Sequence, residues 1–139
     1  MSTLDTKFAL FLVAFLAASC SESETRLKAE NEEPLPFEPL DINALPPMSD
    51  PILARGRVIY LDSCARCHRI GKAGAPRTGD TVAWKPRIAS GIEQLINHAI
   101  GGYESPTGGE MPERGGNDDL TDDEVQSAVQ FMVFLSDTP

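Results

Sequence analysis

Cys64-Ala65-Arg66-Cys67-His68 is a C-x-x-C-H sequence, and its spacing governs how the rest of the chain is read. On a helix, residues three and four apart project from neighbouring turns of one face, so Cys64, Cys67 and His68 present two sulfurs and an imidazole together. The sulfurs can close thioether bonds to the vinyl groups of a haem while the imidazole meets its iron, which makes this run the attachment signature of a c-type haem. Two other readings compete with it. A redox C-x-x-C needs a βαβ pattern around it, and the flanks carry no alternating Val/Ile-rich runs. A zinc site needs a second pair of ligands, and the only other Cys and His are Cys20 and His98.

At 139 residues with 41% hydrophobic content, the chain has room for one small core and attachments. Lys7 precedes an apolar run from Phe8 to Ala18, the length of a signal-peptide core and short of the ~20 residues that span a bilayer. Leu16-Ala-Ala-Ser-Cys20 resembles a bacterial lipobox, in which the cysteine is lipidated and becomes the new N-terminus. Ordinary cleavage nearby, leaving Cys20 free or paired between molecules, is the other reading. Both put the domain outside the cytoplasm, in the periplasm or on the outer face of a membrane. Acyl chains, at ~0.8 kcal/mol per buried CH₂, would hold the protein at that membrane.

The expected organisation is a signal peptide over 1–19, a lipidated Cys20 with an acidic, proline-rich tether over 20–49, and a haem domain over 50–139. The tether contains Glu32-Glu33-Pro34-Leu35-Pro36-Phe37-Glu38-Pro39 and Pro46-Pro47, with no helical or strand period. Extended polyproline geometry gives it ~3.1 Å per residue of reach. Leu35, Phe37, Leu40, Ile42 and Leu45 could instead dock it on the domain. The formal charge of -9 is uneven: Arg55, Arg57, Arg66, Arg69 and Lys72 surround the attachment segment, while the stretch from Glu93 to Asp137 has Arg114 among many acids. So acidic a chain, without an Arg/Lys stripe interleaved with aromatics, is no partner for nucleic acid.

Helix signals bracket the motif. Asp50-Pro51 supplies an N-cap and a proline at the first helical position, with Ile52, Leu53, Val58, Ile59 and Leu61 on the apolar side up to Cys64. Gly56 inside it costs ~1 kcal/mol relative to alanine and points to a close helix crossing. Thr121-Asp-Asp-Glu124 is a capping box opening a last helix with Val125, Ala128, Val129, Met132 and Val133 on one stripe, widened by Phe131, Phe134 and Leu135. Ser90-Gly-Ile-Glu93 reads as a second capping box, opening a helix that stops at Gly101-Gly102. Everything else reads as loop. So few short helices barely bury a core, and a haem among them supplies the missing apolar volume.

His68 leaves the iron's other axial position to Met48, Met111, Met132 or His98. Met48 lies too near the attachment face, Met132 falls on the core stripe of the last helix, and His98 sits mid-helix among apolar residues. Met111 stands in Gly108-Gly109-Glu110-Met111-Pro112, where glycines admit the backbone to the ring and proline restrains it. His/Met ligation suits an electron carrier and raises its potential.

Gly74-Ala-Pro-Arg77, Gly79-Asp80, Trp84-Lys-Pro-Arg-Ile88, Gly91, Met111-Pro112, Arg114-Gly-Gly116 and Leu120-Thr-Asp-Asp-Glu-Val125 resemble the class I cytochromes c, most closely the cytochrome c5 group of bacterial respiratory chains. The resemblance implies an all-α fold whose first and last helices cross around one covalent haem c, with Cys64 and Cys67 holding it and His68 and Met111 ligating the iron. It also implies that the Pro76 carbonyl accepts the His68 Nδ1 proton and that Trp84 and Arg87 lie near the propionates. Asn117 stands where some c5-type domains carry a further cysteine, and the segment from Tyr103 to Glu110 is longer than a compact Met loop. The expected function is one-electron transfer, not enzymatic, by a membrane-tethered, monomeric carrier between redox proteins of a respiratory chain, docking by the basic face near the haem. A haem sensor or peroxidase-like enzyme with a displaceable Met111, and a tethered subunit of a larger oxidoreductase, are the alternatives.

Overall fold

The computed structural model describes residues 38–106 and 108–137; the leader, Cys20 and most of the tether lie outside them. Helix α1, Pro51–Ile59, starts where the sequence places it, with the Asp50 carboxylate accepting the amides of Ile52 and Leu53 at 2.7 and 3.1 Å. A π turn, Tyr60–Cys64, and a short helix α2, Ala65–His68, continue it. The wide turn lets the chain change helical register between α1, which packs on the last helix, and α2, which carries Cys67 and His68.

That last helix, α5, spans Asp122–Ser136 and begins at the expected capping box, Thr121 and Glu124 each bonding the other's amide. The α1–α5 crossing is close because Gly56 has no side chain. A Cβ there would overlap the carbonyl oxygen of Ser127, lie 2.7 Å from its carbon and 2.9 Å from the Phe131 Cβ. Arg55 spans the crossing, its guanidinium donating to Ser127 Oγ and to the Asp123 carbonyl. One core cluster, Ile42, Tyr60, Trp84, Phe131 and Met132, lies beside this junction; a second, Ala99, Val125 and Val129, lies between α5 and α4. Phe134, expected on the buried stripe, is instead half exposed.

Three features differ from the sequence reading. The stretch read as loop after Gly79 contains helix α3, Thr81–Ala89, capped by the Asp80 carboxylate on the Ala83 amide at 3.0 Å and tolerating Pro86 inside. Because α3 ends at Ser90, that hydroxyl donates to the Arg87 carbonyl at 2.6 Å, so the capping box expected at Ser90 does not form. Helix α4, Ile92–Gly101, starts instead from Gly91 at φ 101° and ends, as read, at Gly102. The long segment before Met111 is a hairpin, β1, Tyr103–Glu104, pairing antiparallel with β2, Glu110–Met111.

The packed domain also reaches back before Asp50. Ile42 is 2% exposed in the core, with Leu40, Leu45 and Met48 packed around it. The Arg57 guanidinium fastens the segment by donating to the carbonyls of Ile42, Asn43 and Pro46 at 2.7, 3.2 and 3.0 Å. Full burial of an isoleucine contributes about 1.5–3 kcal/mol, so this stretch of the proline-rich segment is part of the domain's stability.

The crossing sets one expectation. Gly56→Ala gains ~1 kcal/mol of helix propensity but must push α1 off the Ser127 backbone, so the net effect is a loss of about 1–3 kcal/mol in denaturant unfolding. An alanine variant as stable as the parent would show that the helices do not meet at this glycine.

Candidate haem site

A cavity of about 470 Å³ opens between α2, the 72–76 turn, α3, α4, the hairpin and α5. Cofactor pockets run to roughly 300–1,000 Å³. Cys64, Cys67, His68, Pro76, Trp84, Arg87 and Met111 all line it, so the structure gathers seven of the eight residues singled out by sequence; Cys20 lies outside the described residues. Leu95, Ala99, Val125, Ala128, Val129 and Met132 make an apolar wall from α4 and α5.

His68 is 7% exposed, and its Nδ1 lies 2.9 Å from the Pro76 carbonyl oxygen. A carbonyl only accepts, so the Nδ1 carries the proton and the Nε2 lone pair is left for another partner. Burial holds the imidazole below its usual pKa, the Arg87 charge pushes the same way, and the Pro76 bond opposes them. The ring is therefore neutral at physiological pH, the state in which imidazole ligates a metal. Burial, helped by the charge of Asp62, pushes the Cys64 thiol up to about 11. That is the reverse of a redox C-x-x-C, whose attacking sulfur is a stabilised thiolate. Nor do three or more His, Cys, Asp or Glu side chains gather as a metal cluster among the described residues, as a zinc site would need.

The segment 76–80 is pinned residue by residue. The Pro76 carbonyl takes the His68 ring proton, and the Arg77 carbonyl accepts from Trp84 Nε1 at 2.7 Å. The Thr78 amide donates to the His68 carbonyl at 2.8 Å, the Gly79 amide to Ser136 Oγ at 2.9 Å, and Asp80 caps α3. The imidazole is thus fixed through both its ring and its backbone. On the other side, Met111 pairs with Tyr103 across the hairpin, and Tyr103 stacks on His98 with ring centroids 4.3 Å apart. The hairpin passes so near the 72–74 turn that a Cβ on Gly109 would lie 2.5 Å from the Ala73 carbonyl oxygen. Arg114, at φ 51°, is held by the Leu120 carbonyl at 2.8 Å and by Asp122 at 2.7 Å.

Sequence reasoning missed parts of this lining. His98, which sits mid-helix among apolar residues, borders the cavity with Leu95 and Ala99, the i, i+3, i+4 spacing that puts all three on one face of α4. Arg114 had no signal beyond its place in the glycine-rich run. Asn117, at the position of the missing cysteine, donates to Ser63 Oγ at 3.0 Å, and Arg66 donates to the Gly115 carbonyl. Hydrogen bonds therefore join the 113–117 turn to the attachment segment.

The donor set and the walls fit a c-type haem: two sulfurs and a neutral, oriented imidazole on one segment, a thioether on the hairpin, and apolar side chains between. Removing a pin has a stated cost. Ser136→Ala leaves the Gly79 amide without its acceptor, which lowers unfolding stability by about 1–3 kcal/mol; a change below about 0.5 kcal/mol would contradict the pinned segment.

Comparison with known proteins agrees with this geometry. A family model described as cytochrome c oxidase, cbb3-type, subunit III matches residues 51–132. Cytochrome c-555 of Chlorobaculum tepidum is 50% identical over 80 residues, 58% of this chain and 73% of that protein. Cytochrome c5 of Ectopseudomonas mendocina is 39% identical over 76 residues, 53% of this chain and 82% of that protein. A chain in the crystal structure of an electron transfer complex of nitrite reductase with cytochrome c superposes with a TM-score of 0.54 at 32% identity, covering 63% of this chain and 96% of that one. The all-α fold, the cavity and these relatives agree: the chain belongs to the cytochrome c family that the matching model describes, among the class I monohaem cytochromes, which hold one covalent haem c and carry electrons rather than catalyse.

Proposed function

We infer that this chain is a tethered one-electron carrier in which Cys64 and Cys67 attach the haem and His68 and Met111 are its axial ligands. The observation that carries the reading is the single cavity bordered by all four side chains. When bound, the haem supplies a one-electron couple at its iron. The Pro76 carbonyl keeps the His68 ring in one tautomer and raises its basicity. The hairpin presents the Met111 thioether, a neutral ligand that favours the reduced state. The apolar wall from α4 and α5 excludes water, and rigid ligands on both sides keep reorganisation small when the electron moves.

The tether and the anchor complete the reading. Acylation at Cys20 would hold the domain outside the cytoplasm on the proline-rich segment and confine its search for partners to the membrane plane. Among the described residues no helix is long and apolar enough to cross a membrane. Redox proteins are the expected partners, and the nitrite reductase complex of a related cytochrome supports that class. Of the five basic residues around the motif, Arg55, Arg57 and Arg66 hold backbone carbonyls, and Arg69 and Lys72 are exposed to meet an acidic face of a partner. A fixed place in an oxidoreductase complex is the second reading, favoured by the description of the matching family model. Co-purification from detergent-solubilised membranes would support it.

Two measurements test the carrier. Met111→Ala abolishes the weak far-red band of iron–methionine ligation in the oxidised protein and lowers the reduction potential; an unchanged spectrum would remove Met111 from the iron. The rate of reduction by its partner falls with added salt, as the screening length shrinks from ~10 Å at 0.1 M to ~3 Å at 1 M. A salt-independent rate would contradict docking through the basic face that carries Arg69 and Lys72.

A further inference from the structure

The Met111 hairpin leans on helix α4 through one pair of rings. Tyr103 lies in register with Met111 across the ribbon. Residues directly opposite in an antiparallel pair carry their side chains on the same face, with Cβ atoms roughly 4.5–5.5 Å apart. Both residues border the cavity, so the phenol ring and the thioether stand side by side there. His98 borders the same cavity from the last turn of α4 and stacks on the Tyr103 ring, with centroids 4.3 Å apart and planes 29° from parallel.

Tyr103 is 39% exposed and belongs to neither core cluster, so burial does not settle where its ring lies. A ribbon of two-residue strands is also too short to hold itself in place. Helix α4 supplies the fixed point: Ala99, next to His98, is buried against Val125 and Val129 of α5, and Met111 packs on that same cluster. The helix end is close too, since a Cβ on Gly102 would lie 3.2 Å from the Met111 carbonyl oxygen. We propose that the His98–Tyr103 stack is a clamp that keeps the Met111 thioether at the iron, which makes both of them positioning residues for that ligand. The stack ties the strand opposite Met111 to a packed helix, so the hairpin cannot swing away from the cavity without parting the two rings.

The clamp rests on Met111 being an iron ligand, and one titration separates the two. In the oxidised, haem-loaded protein, added imidazole reaches the iron only when Met111 is off it. Its apparent affinity, followed by loss of the far-red band, therefore reports the detached fraction. His98→Leu and Tyr103→Leu are each expected to keep the band without imidazole and to bind imidazole about 2–10-fold more tightly, the range to which an aromatic pair's contribution converts. Tyr103→Phe, which keeps a ring for the stack, binds it as the parent does. The double leucine variant binds it no more tightly than either single one, as partners in one contact do. Parent-like affinity in both leucine variants overturns the clamp, as does a phenylalanine variant as loosened as the leucine one, or a double variant whose gain is the product of the single gains. If the parent lacks the band, or Met111→Ala leaves it unchanged, the ligand assignment falls and the clamp with it. If Met111→Ala abolishes the band and the leucine variants bind imidazole as the parent does, only the clamp falls.

Discussion

Gly56 lets α1 rest on the backbone of Ser127, and that contact sets where everything else can go. With the two helices this close, Tyr60 and Phe131 meet with ring centroids 5.6 Å apart, and the segment from Tyr60 to His68 is delivered to the mouth of the cavity. Arg55 and Arg57 reinforce the arrangement from opposite directions, one reaching α5 and the other holding the residues that precede α1. A domain of this size has little core to spare, and it draws Ile42 from outside the helices to complete it.

Around the cavity the two sides are built differently. The His68 side is a short segment whose every residue bonds a neighbour, so the imidazole has little freedom. The Met111 side is a small hairpin braced by the Tyr103–His98 stack and by close approach to the 72–74 turn. Rigidity on one side and a short paired ribbon on the other suit a site that must hold an iron through a change of one charge without rearranging.

Much of this was legible in the sequence. Asp50-Pro51, Thr121 with Glu124, and Gly101-Gly102 marked helix ends because each is a local hydrogen-bond or dihedral solution that tertiary packing did not need to override. That the attachment motif and Met111 border one cavity was readable from spacing and from the glycines and proline nearby. Helix α3 was not, because Pro86 reads as a breaker and Val82, Lys85 and Arg87 face solvent, leaving little apolar period. Ser90 misled for a related reason: its hydroxyl serves the helix that ends there, not the one that follows. The hairpin has two-residue strands, too short to alternate, and the role of Ile42 depends on Arg57 capturing carbonyls 11 to 15 residues away. Partners distant in sequence leave no local trace.

The central claim is that His68 and Met111 occupy both faces of the iron, so the protein moves electrons and does not bind small ligands. Exposure of the reduced protein to carbon monoxide tests it most directly. The account predicts a spectrum unchanged by carbon monoxide at neutral pH. Rapid formation of a carbon monoxide adduct would mean that Met111 leaves or never binds, and would contradict the carrier in favour of a sensor or peroxidase-like haem.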